Sequence, residues 1–372
     1  MTDTVVAAPV VGRSLWGDAW ARLKANKAAM FSLYYLVFMA VVCVVGPYFV
    51  PHQYTTIYAD YVRTPPSLSA YPKTEMIETA LTDVVKRMRV DLKEWKQEGE
   101  RVFITLASTK PIDERNVRYI DRSDTFDDGK VESKSADGMS MVVSASIKQQ
   151  YFFFGTDNVG RDQLSRTLMA GRISLAIGLL AGVVAVVIGV VYGATAGFMG
   201  GKTDEVMMRI VDVLYSLPFI FFVIMLVVFF GRNFVLMFLA VGAVLWLDMA
   251  RIVRGQALSI RRQEYVQAAE ALGVRSRGIV QRHVIPNLLG PVVIYMTLLV
   301  PQVIILESFL SFLGLGVQEP MTSWGVLISV GAKNIGTANW LLLFPAFFLV
   351  STLFALNFIG DGLRDALDPK DR

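Results

Sequence analysis

The sequence predicts an all-α membrane protein with six transmembrane helices and a small α/β insert, and three observations support this prediction. Hydrophobic residues make up 54% of the 372 residues and charged residues only 18%, against about 25% charge in soluble chains. Of the 68 charged residues, 35 lie in residues 51–170. The apolar runs are continuous and exceed the roughly 18 residues of a spanning helix, whereas barrel strands alternate in short segments. A soluble enzyme, a disordered chain and a β-barrel are therefore excluded.

The six predicted spans define the domain organisation. They cover residues 28–50, 173–199, 210–230, 234–250, 288–313 and 340–359. The first is about 34 Å long as a helix, enough to cross a hydrocarbon core of about 30 Å. We expect a cytoplasmic N-terminal segment at 1–27, a first transmembrane helix at 28–50 and a periplasmic insert at 51–170. A five-helix core at 171–360 follows, and then a cytoplasmic tail at 361–372.

Positive charge predicts which side the loops face. Lys and Arg residues precede the first span, fill the loop between the fourth and fifth spans and close the chain. Because cytoplasmic loops carry an excess of Lys and Arg, both termini are predicted to be cytoplasmic. The long insert also carries many basic residues, but long translocated domains largely escape this rule.

Small residues and one proline mark the second and third spans. The small residues recur at steps of three and four, which places them on one helical face that allows close backbone approach. They are Gly178, Gly182, Ala185, Gly189, Gly193 and Gly197. This face can pack within the subunit or against a partner subunit, and the sequence leaves both open. Pro218 removes a helix hydrogen bond and predicts a kink in the third span.

The insert is predicted to be a small folded module. Apolar residues from Ile77 to Trp95 follow the spacing of one amphipathic helix. Residues 102–106 and 139–143 have the composition of strands, and residues 127–129 and 137–138 that of turns. A basic amphipathic helix can lie on a membrane surface, but it more often covers a small α/β module, which we favour here.

The sequence offers little chemistry of its own. Cys43 lies in an apolar run and is predicted to be a small buried hydrophobe, and with His52 and His283 it makes no recognisable metal set. Residues 196–203 nearly match a phosphate loop, with Ala196 in place of the first Gly. A membrane span precedes them, however, where a phosphate loop needs a strand, so we interpret them as a tight turn. No catalytic residue is predicted.

The loop at residues 251–286 is predicted to be structured. Good helix formers occupy 264–272, and Gly273 stands where a helix ends with positive φ. A second short helix is expected at 276–284, stopping near Pro286 because the residue before a proline disfavours α geometry. Such a helix–glycine–helix elbow can seat in a groove of another protein or pack on its own subunit.

Several segments resemble one known family. Gln267-Ala268-Ala269, Gly273 and Ile285-Pro286 resemble the EAA loop of ABC importer permeases, although the usual Glu is Gln267 here and the usual Leu is Ile285. The chain is similar to the C-type permease subunits of dipeptide and oligopeptide ABC importers in five further segments, at residues 20–27, 154–162, 310–318, 323–325 and 360–369. The resemblance implies the fold of a type I ABC importer permease.

The resemblance also implies partners and site residues. It implies a bacterial inner-membrane subunit paired with a homologous B-type permease, two cytoplasmic ABC ATPases and a periplasmic peptide-binding protein, with peptide as the substrate. ATP and Mg²⁺ would bind the ATPases, this chain would bind no cofactor, and no nucleic acid is involved. The implied ATPase-coupling residues are Glu264, Gln267, Ala268, Ala269, Gly273, Ile285 and Pro286.

Two acidic residues in or near the spans are candidates for the translocation path, because intramembrane charge is costly and often functional. Glu307 could face the path or pair with a partner, and Asp212 could face the path or favour a helix N-terminal turn. The insert is longer than in dipeptide permeases, which favours oligopeptides. The alternative functions are a membrane receptor whose 51–150 module senses a ligand, and an ion-driven transporter.

Overall fold

The computed structural model describes residues 15–231 and 233–367. The outer parts of the predicted terminal segments, residues 1–14 and 368–372, lie outside the described residues. The helices are α1 (Leu15–Ala25), α2 (Lys27–Val45), α3 (Thr74–Met88), α4 (Arg118–Asp121), α5 (Gln163–Met199), α6 (Gly201–Ser216), α7 (Phe219–Phe230), α8 (Phe234–Arg261), α9 (Glu264–Ala271), α10 (Ser276–Ile279), α11 (Ile285–Phe312), α12 (Trp324–Lys333) and α13 (Trp340–Leu367). The strands are β1 (Asp91–Glu98), β2 (Arg101–Ala107), β3 (Phe126–Lys134) and β4 (Ser140–Ile147).

The chain divides into two compact units. The membrane unit contains residues up to Val44, Ala170–Ser329 and the chain from Pro345 onwards, and the insert unit contains Val45–Met169 and Val330–Phe344. Within the described residues, five helices are long and apolar enough to cross a membrane, and a sixth span exists if one bent pair is counted as one. The predicted class, a helical membrane protein with a small sheet, is confirmed.

The third predicted span is not a single kinked helix. Gly201–Ser216 and Phe221–Phe230 are bent by 84° relative to each other. Leu217, with φ −75° and ψ 133°, has the extended backbone that a following proline favours. Pro218 therefore breaks the span completely, so the prediction of one helix over residues 210–230 was wrong while the position of the break was right.

Three spanning helices are longer than predicted. Helix α5 begins at Gln163, α8 continues to Arg261 and α13 continues to Leu367, whereas the apolar runs predicted bounds at 173, 250 and 359. Hydropathy detects only the part of a helix that lipid can surround. The helical backbone continues through polar residues until a cap or a glycine ends it.

The row of small residues on α5 packs inside the membrane unit. A Cβ at Gly189 would lie 2.6 Å from the Met249 Cβ, and one at Gly197 would lie 2.6 Å from the Arg254 carbonyl oxygen. At Gly193 a Cβ would overlap the Ala250 carbonyl oxygen. Of the two interpretations, packing within the subunit is therefore the one that the structure shows at these positions, and the partner of α5 there is α8.

The insert unit contains a four-stranded antiparallel sheet in the order β1-β2-β4-β3. Inward residues of the strands and of α3 form its core, and Leu81, Val102, Leu106, Phe126 and Val143 are each completely buried. Because the apolar face of α3 contributes to this core, α3 is an element of the module and not a membrane-surface helix. The predicted strand at 102–106 is confirmed within β2, and the one predicted at 139–143 begins one residue later, as β4.

Two details of the insert differ from the prediction. Helix α3 ends at Met88, because Arg89 adopts the left-handed conformation with φ +58°, and Leu92 and Trp95 then belong to β1. Residues 127–129 are not a turn between elements but an irregularity inside β3, where the register shifts between Asp127 and Lys130. The turn predicted at Asp137 and Gly138 does connect β3 to β4.

Candidate coupling loop and candidate path residues

The loop after α8 forms a helical elbow. Helix α9 runs from Glu264 to Ala271, and Gly273 with φ +78° reverses the chain into α10. The Val274 N–H donates to the Ala269 carbonyl at 3.1 Å, and the Gly273 N–H donates to the Glu270 carbonyl at 2.9 Å. These two bonds form a Schellman motif, in which the residue after the cap must adopt positive φ. The predicted role of Gly273 as the helix terminator is confirmed.

One face of α9 is buried in the subunit and the other is exposed. Val266 and Ala269 are buried in a core that includes Ala257, Ile279 and Val284. Ala269, one of the implied coupling residues, lies three residues after Val266 on this inward face and is buried with it. The predicted residues Glu264, Gln267 and Ala268 are exposed on the outward face.

A large hydrophobic residue stands at the tip of the elbow and was missed from the sequence. Leu272 is 83% exposed and its neighbour Val274 is 42% exposed. Three helical residues turn the chain by about 300°, which is about 60° less than a full turn. A residue six positions after Val266 therefore points about 120° away from the direction of Val266. That rotation, together with the adjacent glycine, was the signal that Leu272 points outward.

The proline at the end of the elbow does not stop the helix. Residues Val280–Val284 form a π-helical turn, and Ile285 and Pro286 then begin α11. A π turn changes the hydrogen-bond pattern just before Pro286, whose missing N–H is tolerated in the first turn of a helix. The prediction that the second short helix stops near Pro286 was therefore wrong. Ile285 is half-buried and Pro286 is exposed.

Two ion pairs join α6 to α8. Arg254 binds both carboxylate oxygens of Asp204 at 2.5 and 2.6 Å, and Asp204 is buried. Arg251 donates to Asp212 at 2.8 Å, and its guanidinium lies 4.4 Å from the centre of the Tyr215 ring. Asp212 lies in the second half of α6, so its predicted role at a helix N-terminal turn was wrong. That role belongs to Asp204, which the sequence analysis did not single out.

Glu307 is enclosed by its own subunit. Its side chain is completely buried, and its Oε1 accepts hydrogen bonds from the Ser311 and Ser323 hydroxyls at 2.6 Å each. The Ser323 hydroxyl also accepts from the Val326 N–H in the first turn of α12. Glu307 therefore ties the start of α12 to α11. Its predicted place on the translocation path stays a prediction.

The segment at residues 154–162 forms a compact turn in the insert unit. The Asp157 Oδ1 accepts from the Val159 and Arg161 N–H groups at 2.9 Å each. Asp162 accepts from the Ser165 N–H at 2.7 Å and so caps the start of α5. Burial raises the pKa of Asp162 and lowers that of His52, while the charge of each opposes the shift of the other. This segment therefore fixes where α5 begins.

The near-match to a phosphate loop has no phosphate-loop geometry. Residues 196–199 end α5, Gly200 and Gly201 form the turn with φ +65° and +54°, and α6 follows. The Arg261 guanidinium donates to the Met199 carbonyl at 3.3 Å. The tight-turn interpretation is confirmed, since a phosphate loop would join a strand to a helix.

Comparisons with known proteins agree with this architecture. Residues 185–372 match the binding-protein-dependent transport system inner membrane component family, and residues 14–66 match the N-terminal transmembrane domain of oligopeptide transport permease C. The chain belongs to this family of inner membrane components. The resemblance to C-type permease subunits of dipeptide and oligopeptide importers is thereby confirmed, and the chain is a multi-pass membrane transport subunit.

Three curated relatives give the extent of the similarity. The oligopeptide transport system permease protein OppC of Haemophilus influenzae is 42% identical over 372 residues, covering 100% of this chain and 94% of the relative. OppC of Escherichia coli K12 is 60% identical over 233 residues, covering 63% and 77%. The dipeptide permease DppC of Bacillus subtilis is 37% identical over 356 residues, covering 95% and 86%. Among solved structures, the MetNI methionine ABC transporter matches with a TM-score of 0.43 and 20% identity over 53% of this chain and 93% of that chain.

Proposed function

We propose that this chain is a permease subunit of an ATP-driven oligopeptide importer and that its elbow couples the membrane helices to an ATPase. The observation that carries the proposal is the exposed outward face of the elbow. Leu272 at its tip is 83% exposed, and Gln267 and Ala268 of α9 are exposed as well. An exposed apolar side chain beside small residues fits a groove of a partner protein.

The proposed assembly has four further parts. A homologous B-type permease, two cytoplasmic ABC ATPases and a periplasmic peptide-binding protein complete the importer, with ATP and Mg²⁺ on the ATPases. This orientation requires cytoplasmic termini, a cytoplasmic elbow and a periplasmic insert. The proposal is supported by the similarity of the whole chain to a permease that is named for oligopeptide transport.

The proposed mechanism is alternating access without covalent chemistry. A partner shifts a two-state equilibrium only by its different affinity for the two states. Closure of the ATPases on ATP would therefore favour the membrane state whose elbow fits them best. The Schellman motif at Gly273 holds the tip in one shape, so a displacement of the tip passes to α8 and α11 instead of being absorbed by the loop.

The experiment replaces the apolar tip with a charge. Leu272→Asp should abolish coupled transport in the reconstituted importer, because it places a carboxylate in an apolar groove. ATP hydrolysis and uptake of a tripeptide are measured together. Leu68→Asp is the matched control, because Leu68 is 87% exposed in the insert unit. Wild-type uptake by Leu272→Asp would exclude the elbow from coupling.

Co-purification in mild detergent tests the assembly separately. The ATPases and a second permease should accompany the wild-type chain, whereas a receptor or an ion-driven transporter would not require them. Recovery of the chain alone from a fully expressed system, with active uptake in the same cells, would contradict the proposal.

A further inference from the structure

A cavity of about 590 Å³ lies in the membrane unit where α5, α6, α10 and α11 meet. Small-molecule sites have volumes of about 300–1,000 Å³, so this cavity is large enough to hold a ligand. Its apolar wall includes Val191 and Met199 of α5, and its polar wall includes Ser276 and Arg277 of α10. We call it the α5–α10 cavity.

The apolar wall of the α5–α10 cavity belongs to a membrane span. No charged residue occurs between Arg172 and Lys202, and the α5 side of the cavity lies in this stretch. Val191 lies eight residues before Met199, which is about 12 Å along α5. The two side chains are 57% and 48% exposed in the chain. A solute does not enter the hydrocarbon at this depth, so the apolar wall is suited to a ligand that itself lies in the membrane.

The polar wall lies at the end of the same span. Thr203 directly follows Lys202, the first charged residue after the span, and it lines the cavity with Ser276 and Arg277. The side chains of these three lining residues are exposed. None of them makes a hydrogen bond or an ion pair with another residue in the part of the chain that the structure describes. Two hydroxyls and a guanidinium can therefore donate to a ligand from outside the chain.

The charge of this cavity is positive. Among the described residues around it, only Arg277 is charged. No Asp or Glu occurs between Glu270 and Glu307 in the sequence, so α10 and the first part of α11 carry no acidic group. On α6, Asp204 already pairs with α8, and Glu205 does not line the cavity. The guanidinium of Arg277 is therefore available to an anion.

We propose that the α5–α10 cavity binds an anionic phospholipid, with its phosphate at Arg277 and the first part of one acyl chain along Val191 and Met199. A phosphate accepts strong hydrogen bonds from a guanidinium, and basic pockets between spanning helices bind anionic lipid head groups. The bound lipid contacts α5 and the elbow together, and so stabilises the position of the elbow at the membrane surface. The proposal goes beyond the proposed transport function and requires only that the membrane unit lies in a bilayer.

The experiment maps where a photoreactive phosphatidylglycerol, with a diazirine in its acyl chain, reacts with the protein. The full chain, with the subunits that co-purify with it, is illuminated in phosphatidylcholine nanodiscs that contain a small fraction of this probe. Peptide mass spectrometry locates the labelled residues. Helix α2, where Phe31 and Phe38 are 72% and 59% exposed, gives the labelling expected of a plain apolar helix surface. Labelling should be stronger in residues 191–199 than in α2, and the same diazirine on phosphatidylcholine should show no such preference.

A pair of variants tests the role of the charge. Arg277→Gln should lower the labelling of residues 191–199 about fivefold relative to α2, the effect of one basic residue on an anionic lipid. Arg275→Gln is the matched control, because Arg275 is exposed in the same elbow but does not line the cavity, and its labelling should equal that of the wild type. Unlabelled phosphatidylglycerol should compete with the probe, whereas glycerol phosphate, which has no acyl chain, should not.

Three results would overturn the proposal. The first is labelling of residues 191–199 no stronger than that of α2, as when a partner subunit covers the cavity. The second is an equal loss in Arg275→Gln and Arg277→Gln, which would indicate general surface charge. The third is competition by glycerol phosphate, which would indicate a site for a soluble anion. Peptide uptake is not measured here, so failure of the proposed transport function would leave this result unchanged.

Discussion

The two units of this chain are stabilised by different kinds of contact. The insert unit has a core of large side chains, such as Leu81, Ile104 and Phe126, gathered from a helix and four strands. The membrane unit brings α5 and α8 together through glycines, with Gly189 against Met249 and Gly193 against Ala250. The hydrophobic effect stabilises the first arrangement in water. In lipid this driving force is absent, and helices associate instead through close backbone contact at small residues.

Polar groups differ less between the two units, because Asp157, Asp162 and Arg166 are buried in the insert unit as well. Charged residues of the insert unit lie mostly on its surface, where Lys134 and Glu114 form an ion pair at 3.4 Å. In the membrane unit Glu307 is completely buried and is held by two serine hydroxyls. The insert unit should therefore be sensitive to the removal of volume, and the membrane unit to the addition of volume and to the loss of internal hydrogen bonds.

The largest effect is expected from adding volume between α5 and α8. Gly193→Leu should prevent folding of the membrane unit, because even its Cβ would overlap the Ala250 carbonyl oxygen. The yield of monodisperse protein in mild detergent measures this effect. Gly255→Leu is the control, since a Cβ at Gly255 meets nothing within 4 Å. Equal yields of the two variants would refute the close-approach account.

A smaller effect is expected from removing volume in the insert unit. Leu81→Ala should lower its free energy of unfolding by about 2–5 kcal/mol, the cost of a cavity at a fully buried leucine. Pulse proteolysis of the whole chain, with cleavage sites mapped to the insert, measures the change. Leu68→Ala, at an 87% exposed position, should leave the proteolysis unchanged. A Leu81→Ala chain as resistant as the wild type would contradict the assigned core.

An effect smaller than that of Leu81→Ala is expected from removing the hydrogen bonds of Glu307. Glu307→Ala leaves the hydroxyls of Ser311 and Ser323 without their acceptor and should cost about 1–3 kcal/mol. Glu307→Gln keeps a carbonyl oxygen and should lose less. The thermal midpoint of the purified chain in detergent ranks the three proteins. If both variants melted at the wild-type temperature, the tie between α11 and α12 would have no energetic role.

The smallest effect is expected at the surface of the insert. Glu114→Gln removes the ion pair with Lys134. The side chains of both residues are open to solvent. Such pairs contribute between about 0 and 1 kcal/mol, so proteolysis should be almost unchanged. A loss as large as that of Leu81→Ala would show that surface charge, and not the core, holds the insert together.

Much of this architecture could be predicted from the sequence because lipid imposes simple patterns. Long apolar runs identified the spans, and Gly273 marked the end of α9 from its residue type alone. The errors occurred where the same local sequence pattern is compatible with both a helix and a strand. Leu92 and Trp95 continue the helical spacing of α3, yet they lie in β1 because Arg89 adopts a left-handed backbone.

The remaining errors concern positions that depend on a neighbouring element. The sequence places Glu307 in a span, but only the fold shows that Ser323, sixteen residues later, returns to bind it. The proline at position 286, taken alone, predicts the end of a helix. Only the π turn before it shows how the helix continues.

The π turn before Pro286 has a mechanical consequence. It allows residues Ser276–Phe312 to run as 37 helical residues, about 55 Å long at 1.5 Å per residue. The elbow tip adjoins one end of this rod and the Glu307 tie lies near the other end. In the proposed importer, a tilt imposed at the tip would therefore shift the α12 attachment at the far end of this helix.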